Sequence, residues 1–181
     1  MNGLVYRDNI AVTWRYVDHA LDAEHLARVN ASNESFLRGV TALGEVPAAG
    51  VEADDGASGI GHELQRLDSK LNLLLELVSS LIYREADIAA PRMAEVAADA
   101  VTWVAGDERL PEPGRTVFLE LYIQRGLPKP LCCYGEVLPA TDLKGQVAIA
   151  VRYLNLGGSA KAWLEKWIFR QHRREVAAQR G

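Results

Sequence analysis

Residues 148–175, AIAVRYLNLGGSAKAWLEKWIFRQHRRE, decide the fold. The stretch opens in the apolar, β-rich run 146–154, which reads as a strand. It then changes period. Trp163, Leu164, Trp167 and Ile168 recur at spacings of one, three and four, the single apolar stripe of a helix from about Ser159 to Ala178. A strand running into a one-sided helix implies a sheet for that helix to cover.

Working back from it, the chain supplies such a sheet. Runs 93–105, 115–124 and 131–138 are apolar and β-rich. The stretches PEPG, RGLPKP and TDLKG separate the runs and carry turn chemistry. Far upstream, residues 4–17 (LVYRDNIAVTWRYV) add one more strand. Four runs and an N-terminal strand predict an α+β domain, a small antiparallel barrel covered by the C-terminal helix.

Between the first strand and the rest lies a helical insertion. Residues 22–44 read as a helix with Asp22 as N-cap and Gly44 as stop. Residues 45–58 are acidic, small and broken by Gly and Pro, a linker. Residues 60–86 read as a stronger helix. Its Ile60, Leu64, Leu67, Leu71, Leu74, Val78 and Leu81 step by four and three alternately, an a/d pattern of period 3.5. With Leu64, Leu71 and Val78 at a, Leu75 and Ile82 fall at e and Leu77 at g. Apolar e and g positions widen the buried face beyond a two-stranded seam, so a bundle, best of four helices, is expected. Glu63, Asp68 and Lys70 make its N-terminal half more polar. Each extra leucine buried is worth roughly 1.5–3 kcal/mol, enough to make an oligomer obligate. The competing reading is an intramolecular hairpin against Leu26, Val29, Phe36, Val40 and Leu43, a stripe that also holds Asn33.

The expected organisation is therefore 1–18, the first barrel strand; 19–90, the helical insertion with its oligomerisation helix; and 91–181, the rest of the barrel and the closing helix.

These residues resemble a PilZ domain. The resemblance is carried by VAADAVTWVA, PEPGRTVFLELYI, CYGEVLPA and above all the strand and helix at 148–175, and it covers residues 93–175. The first 90 residues are similar to an atypical PilZ group. The shared features are the strand from Tyr6 to Trp14, the helix bearing Asn30, Asn33 and Glu34, and the leucine-rich run from Leu64 to Leu75. That likeness implies a tetramer built on the heptad helix.

PilZ domains are usually receptors for cyclic di-GMP, held by an R-x-x-x-R segment and a [DN]-x-S-x-x-G motif. Arginine suits both phosphate and guanine. This chain departs from both motifs. The segment before the barrel offers only Arg84 and Arg92, at the wrong separation. The second motif falls on Glu95 to Ala100, with Glu95 for Asp/Asn, Ala97 for serine and Ala100 for glycine. Ala97 lacks the hydroxyl, Ala100 adds a methyl where close approach is needed, and Glu95 and Asp99 add negative charge beside a dianion.

One formal R-x-x-x-R, Arg170 to Arg174, lies in the C-terminal helix. It reads as a solvated basic end suited to the helix dipole. Arg170, Arg173 and Arg174 are also the candidates for a partner contact.

The remaining chemistry is sparse. The net charge of −4 argues against a nucleic-acid binder. The longest apolar stretch, around Leu71 to Ile82, is interrupted by polar residues, so no membrane span is expected. The opening MNGLVYRDNI has no signal core, which points to the cytoplasm. Cys132 and Cys133 are neighbours whose side chains point to opposite faces of a strand, and read as reduced thiols. His19, His25, His62 and His172 lack metal-ligand spacing, so no metal or other cofactor is expected. Asp54 and Asp55 sit in the linker, without the rigid frame acid–base work needs. Trp163 and Trp167 read as core. No nucleophile elbow, Walker or Rossmann pattern is present.

The expected protein is a non-enzymatic bacterial signalling adaptor that self-assembles, contacts a protein partner and does not itself hold cyclic di-GMP. The alternative is a cyclic di-GMP receptor using other arginines, such as Arg7, Arg15 or Arg170 to Arg174.

Overall fold

The structure, a computed structural model, describes residues 4–18, 21–43, 88–106, 109–124 and 126–178, with positions 66, 67, 69–71, 73, 74, 77 and 78 between them. Among the described residues, seven strands form one antiparallel sheet: β1 (Tyr6–Tyr16), β2 (Arg92–Val96), β3 (Ala100–Val104), β4 (Thr116–Tyr122), β5 (Leu131–Val137), β6 (Thr141–Leu143) and β7 (Gln146–Leu154). The order is β3-β2-β1-β4-β5-β7-β6, and β3 also pairs with β7. That second pairing, Ala100–Val104 against Arg152–Ala148, closes six strands into a barrel and leaves β6 as a hairpin extension. Closure removes the open edges that six strands would otherwise expose.

Residues Tyr6–Ile10 of β1 pair with β2 and Ala11–Tyr16 pair with β4, so the long N-terminal strand crosses the barrel wall diagonally. At the far side Gly135 lets β5 pass close to β7. A Cβ there would collide with Val151 Cγ1 and come within 3.0 Å of the Arg152 carbonyl oxygen.

Two expectations about the strands are corrected. The run 93–105 is two strands, not one. Residues 97–100 turn back without Gly or Pro, held by the Ala97 N–H donating to the Ala100 carbonyl at 2.9 Å. The uninterrupted apolar texture masked this turn, and Asp99 was its one local signal. The stretch TDLKG is not turn alone: Thr141–Leu143 is β6. Lys144 (φ 54°) and Gly145 (φ 82°) make a two-residue turn of the primed kind that matches strand twist.

Among the described residues, two helices cover the barrel, α1 (Ala23–Leu43) and α2 (Gly158–Ala178). Asp22 caps α1 as expected, accepting from the His25 N–H at 3.0 Å. The core runs from Val96, Val101, Trp103, Leu119, Leu131 and Val151 to Leu164, Trp167 and Ile168 of α2 and Phe36, Leu37 and Val40 of α1. Tyr6 and Trp167 meet edge to face at 4.7 Å, joining β1 to α2. A smaller cluster of Val17, Phe118 and Tyr134, with Leu26 packed on it, fixes the start of α1 against the outer barrel wall.

Candidate functional site

Three parts of the molecule bear on function: the heptad face, the turn at the nucleotide motif, and the seam between α1 and the barrel.

The described heptad positions are helical, and their side chains are open. Leu67, Leu71, Leu74 and Val78 are 52, 58, 57 and 48% exposed, and Leu73 and Leu77 are similarly open. Ile60, Leu64, Leu75 and Leu81 lie outside the described residues. The hairpin alternative needed the apolar stripe of α1. Of that stripe, Phe36 and Val40 are buried in the barrel core beside Leu37, Leu26 packs on the outer cluster, and the Leu43 side chain lies outside the description; α1 packs on α2 and β5.

The turn at the nucleotide motif is occupied by its own chain. Glu95 stands opposite Arg7 in the β1–β2 register, and its carboxylate accepts from Arg7 Nε at 2.6 Å. Ala97 and Ala100 are buried. The Asp99 carbonyl accepts from the Tyr153 N–H at 2.8 Å, which ties the turn to β7. The Arg92 guanidinium lies where a side chain on Gly106 would stand. Arg84 is outside the described residues. Two more arginines contact their own chain. Arg15 stacks over Phe118 at 4.7 Å, and Arg152 pairs with Glu136 at 2.6 Å.

Arg170 requires a correction. It is not part of a free basic end, because its Nη1 donates to the Thr41 carbonyl at 2.6 Å and so braces α2 against the last turn of α1. Arg173 and Arg174 are exposed. Trp163, expected in the core with its stripe, is half-buried at the α1–α2 rim beside Arg38 and Lys166.

The seam holds residues whose role the sequence did not reveal. Asn33, 2% exposed, donates from Nδ2 to the Cys132 carbonyl at 2.6 Å and accepts from the Cys132 N–H at 3.0 Å. One turn earlier, Asn30 donates to the Asn155 carbonyl at 3.0 Å and accepts from the Gly157 N–H at 2.8 Å. A side-chain amide carries a donor and an acceptor as a peptide does, so each asparagine serves as one residue of a neighbouring strand. The available signal was two asparagines three apart, one of them inside an apolar helix stripe.

The cysteines divide as their alternation required: Cys133 joins the core and Cys132 the outer cluster under α1. Burial, with Glu120 adding to it, pushes the Cys132 thiol up to about 11, and burial raises Cys133 further. Neither is a ready nucleophile at neutral pH. Among the described residues no cluster of His, Cys, Asp or Glu could hold a metal, and no helix is long and apolar enough to cross a membrane.

A family model described as atypical PilZ domain, cyclic di-GMP receptor, matches residues 37–181. Among solved structures, a pathogenic protein from Xanthomonas campestris aligns with a TM-score of 0.69 at 21% identity, over 97% of this chain and 91% of that one. It is described as a new tetrameric PilZ domain self-assembled via an unusual helical bundle. The Bacillus subtilis inhibitor of motility aligns over 46% of this chain and 42% of that one, with a TM-score of 0.40 and 10% identity. None of the curated proteins matches.

Proposed function

The chain belongs to the atypical PilZ domain family, and on that footing we propose that it is a non-enzymatic signalling adaptor of the cytoplasm, assembled into a homotetramer through the helix at 60–86. It acts by contact with a partner protein and does not hold cyclic di-GMP at the positions its family uses. The proposed organisation is a barrel built from 1–18 and 91–181, with the insertion 19–90 carrying the assembly helix.

One observation carries this reading. Leu67, Leu71, Leu74 and Val78 are each about half exposed on the single chain, while Phe36 and Val40 of the α1 stripe that could have covered them are buried in the barrel. A run of large apolar side chains left open in a heptad register favours a second copy as its cover. The tetramer reported for the Xanthomonas campestris protein suggests the number of copies.

The reading against nucleotide binding rests on the turn. Glu95 neutralises Arg7, Ala97 and Ala100 supply neither hydroxyl nor clearance, and Arg92 is folded against Gly106. The family model's description as a cyclic di-GMP receptor keeps one alternative in view, binding through a non-standard arginine set.

Two measurements test the proposal. Light scattering on the wild type should give four chain masses, and Leu71→Glu with Leu74→Glu should give one, with the β-sheet circular dichroism retained. A monomeric wild type, or a double variant of unchanged mass, counts against assembly through this helix. Calorimetry with cyclic di-GMP should show no heat of binding, and micromolar affinity would favour the receptor alternative.

A further inference from the structure

The rim between α1 and α2 carries a groove of about 440 Å³ lined by Arg38, Gly39, Thr41, Ala42, Trp163 and Lys166. It lies apart from the nucleotide turn, and none of its residues belongs to the heptad face. We propose that it is a docking site for a short acidic segment of a partner protein, one that brings carboxylates to Arg38 and Lys166 and an apolar side chain to Trp163.

One aromatic ring holds both cations. Lys166 Nζ lies 4.5 Å from the Trp163 ring centre, and Arg38 Cζ lies 5.7 Å from it. An aromatic face orients a cation without neutralising it. Both long side chains are therefore positioned in advance, and part of the entropy cost of binding is already met. Their positive charge remains available. Among the described residues Arg38 meets one carboxylate, Glu34 on its own helix at a loose 3.9 Å, and Lys166 meets none.

The surroundings add to this. Gly39 faces open space, so a backbone can approach the groove closely there. Arg170 pins the Thr41 carbonyl and so fixes the spacing of the two helices that form the walls. Phe169, one turn beyond Lys166 on the same helix, is 52% exposed. A groove with a tryptophan wall and two pre-positioned cations is complementary in charge to acid and in shape to an apolar anchor. The protein as a whole is acidic, so two cations gathered on one aromatic ring are not explained by its general charge.

The test is selection from a phage-displayed library of random dodecapeptides on the full chain, followed by fluorescence anisotropy with the enriched peptides. We expect sequences in which Asp or Glu flank an aromatic or aliphatic residue. Arg38→Glu with Lys166→Glu, both surface changes, should weaken their binding by at least roughly tenfold, and raised salt should weaken it too. Trp163→Phe should bind and Trp163→Ala should not. Light scattering on the same variants should show the wild-type mass, which separates this site from the assembly helix. The proposal is overturned if no acidic peptide is enriched, if the charge-reversed variant binds the peptides equally well, or if that variant changes the mass, which would make the groove a contact between copies.

Discussion

Asn33 of α1 and Cys132 of β5 exchange two hydrogen bonds, the Asn33 amide taking the place of a missing strand residue. The reason lies in the ladder. β7 pairs with β5 only over Tyr134–Val137, so the backbone at Cys132 lies beyond the pairing. Burying an unpaired peptide group there would be costly. Asn33 satisfies both of its groups, and Asn30 does the same for Asn155 and Gly157, where β7 leaves the sheet.

Asn33→Ala strands the Cys132 N–H and C=O in a buried site, with an expected loss of about 3 kcal/mol. Asn33→Asp keeps an acceptor but loses the donor and buries a charge, so it should not rescue. Asn30 is less buried, and Asn30→Ala should cost about 1 kcal/mol. Urea unfolding followed by tryptophan fluorescence checks the order; equal stability of Asn33→Ala and the wild type would show that the seam is incidental.

Gly135→Ala should destabilise by about 1–3 kcal/mol, because its methyl meets Val151 and the Arg152 backbone where β5 and β7 approach. The thermal midpoint reports it. An alanine tolerated without loss would mean the two strands can move apart there.

The buried thiols predict an alkaline sensitivity. Their folded pKa values lie above the roughly 8.5 of an unfolded thiol, with Cys132 at about 11 and Cys133 higher. The folded chain therefore keeps protons that the unfolded chain releases. This stabilisation is complete below about pH 8.5 and falls as the pH rises toward 11, with no counterpart in acid. Cys132→Ala with Cys133→Ala should flatten the stability profile between those limits, and native thiols should react with Ellman's reagent at pH 8 far more slowly than unfolded ones.

Rebuilding the turn alone should not create a receptor. Glu95→Asn with Ala97→Ser and Ala100→Gly restores the family's motif residues and frees Arg7, but leaves the upstream arginine pair missing. Calorimetry with cyclic di-GMP should stay silent. Measurable binding would show that the turn was the sole obstacle.

An assembly held by the helix at 60–86 should melt at a temperature that rises with protein concentration, since association stabilises by mass action. A midpoint unchanged over a hundredfold dilution would argue for a chain that folds alone.

Much of the architecture was legible because it is periodic. The strands at 4–17, 115–124, 131–138 and 146–154, the capped helix after Asp22 and the stripe at Trp163 to Ile168 announce themselves through alternation, caps and turn residues. The β2–β3 turn was not legible, since Ala97 to Ala100 offer only Asp99 as a break. Nor was the role of Arg170, whose helix-end position suggests a solvated charge until Thr41 is placed beside it.

Local pattern alone determined most of the strands, the two helices on the barrel, the leucine stripe and the altered residues at the nucleotide motif, because each depends on side chains close together along the chain. Only the tertiary structure decided that β3 meets β7, that α1 buries Phe36, Leu37 and Val40 in the barrel, and that Asn30 and Asn33 complete a split sheet. Those outcomes turn on which distant backbone groups are left without partners when the barrel closes, and no spacing within a single segment records that.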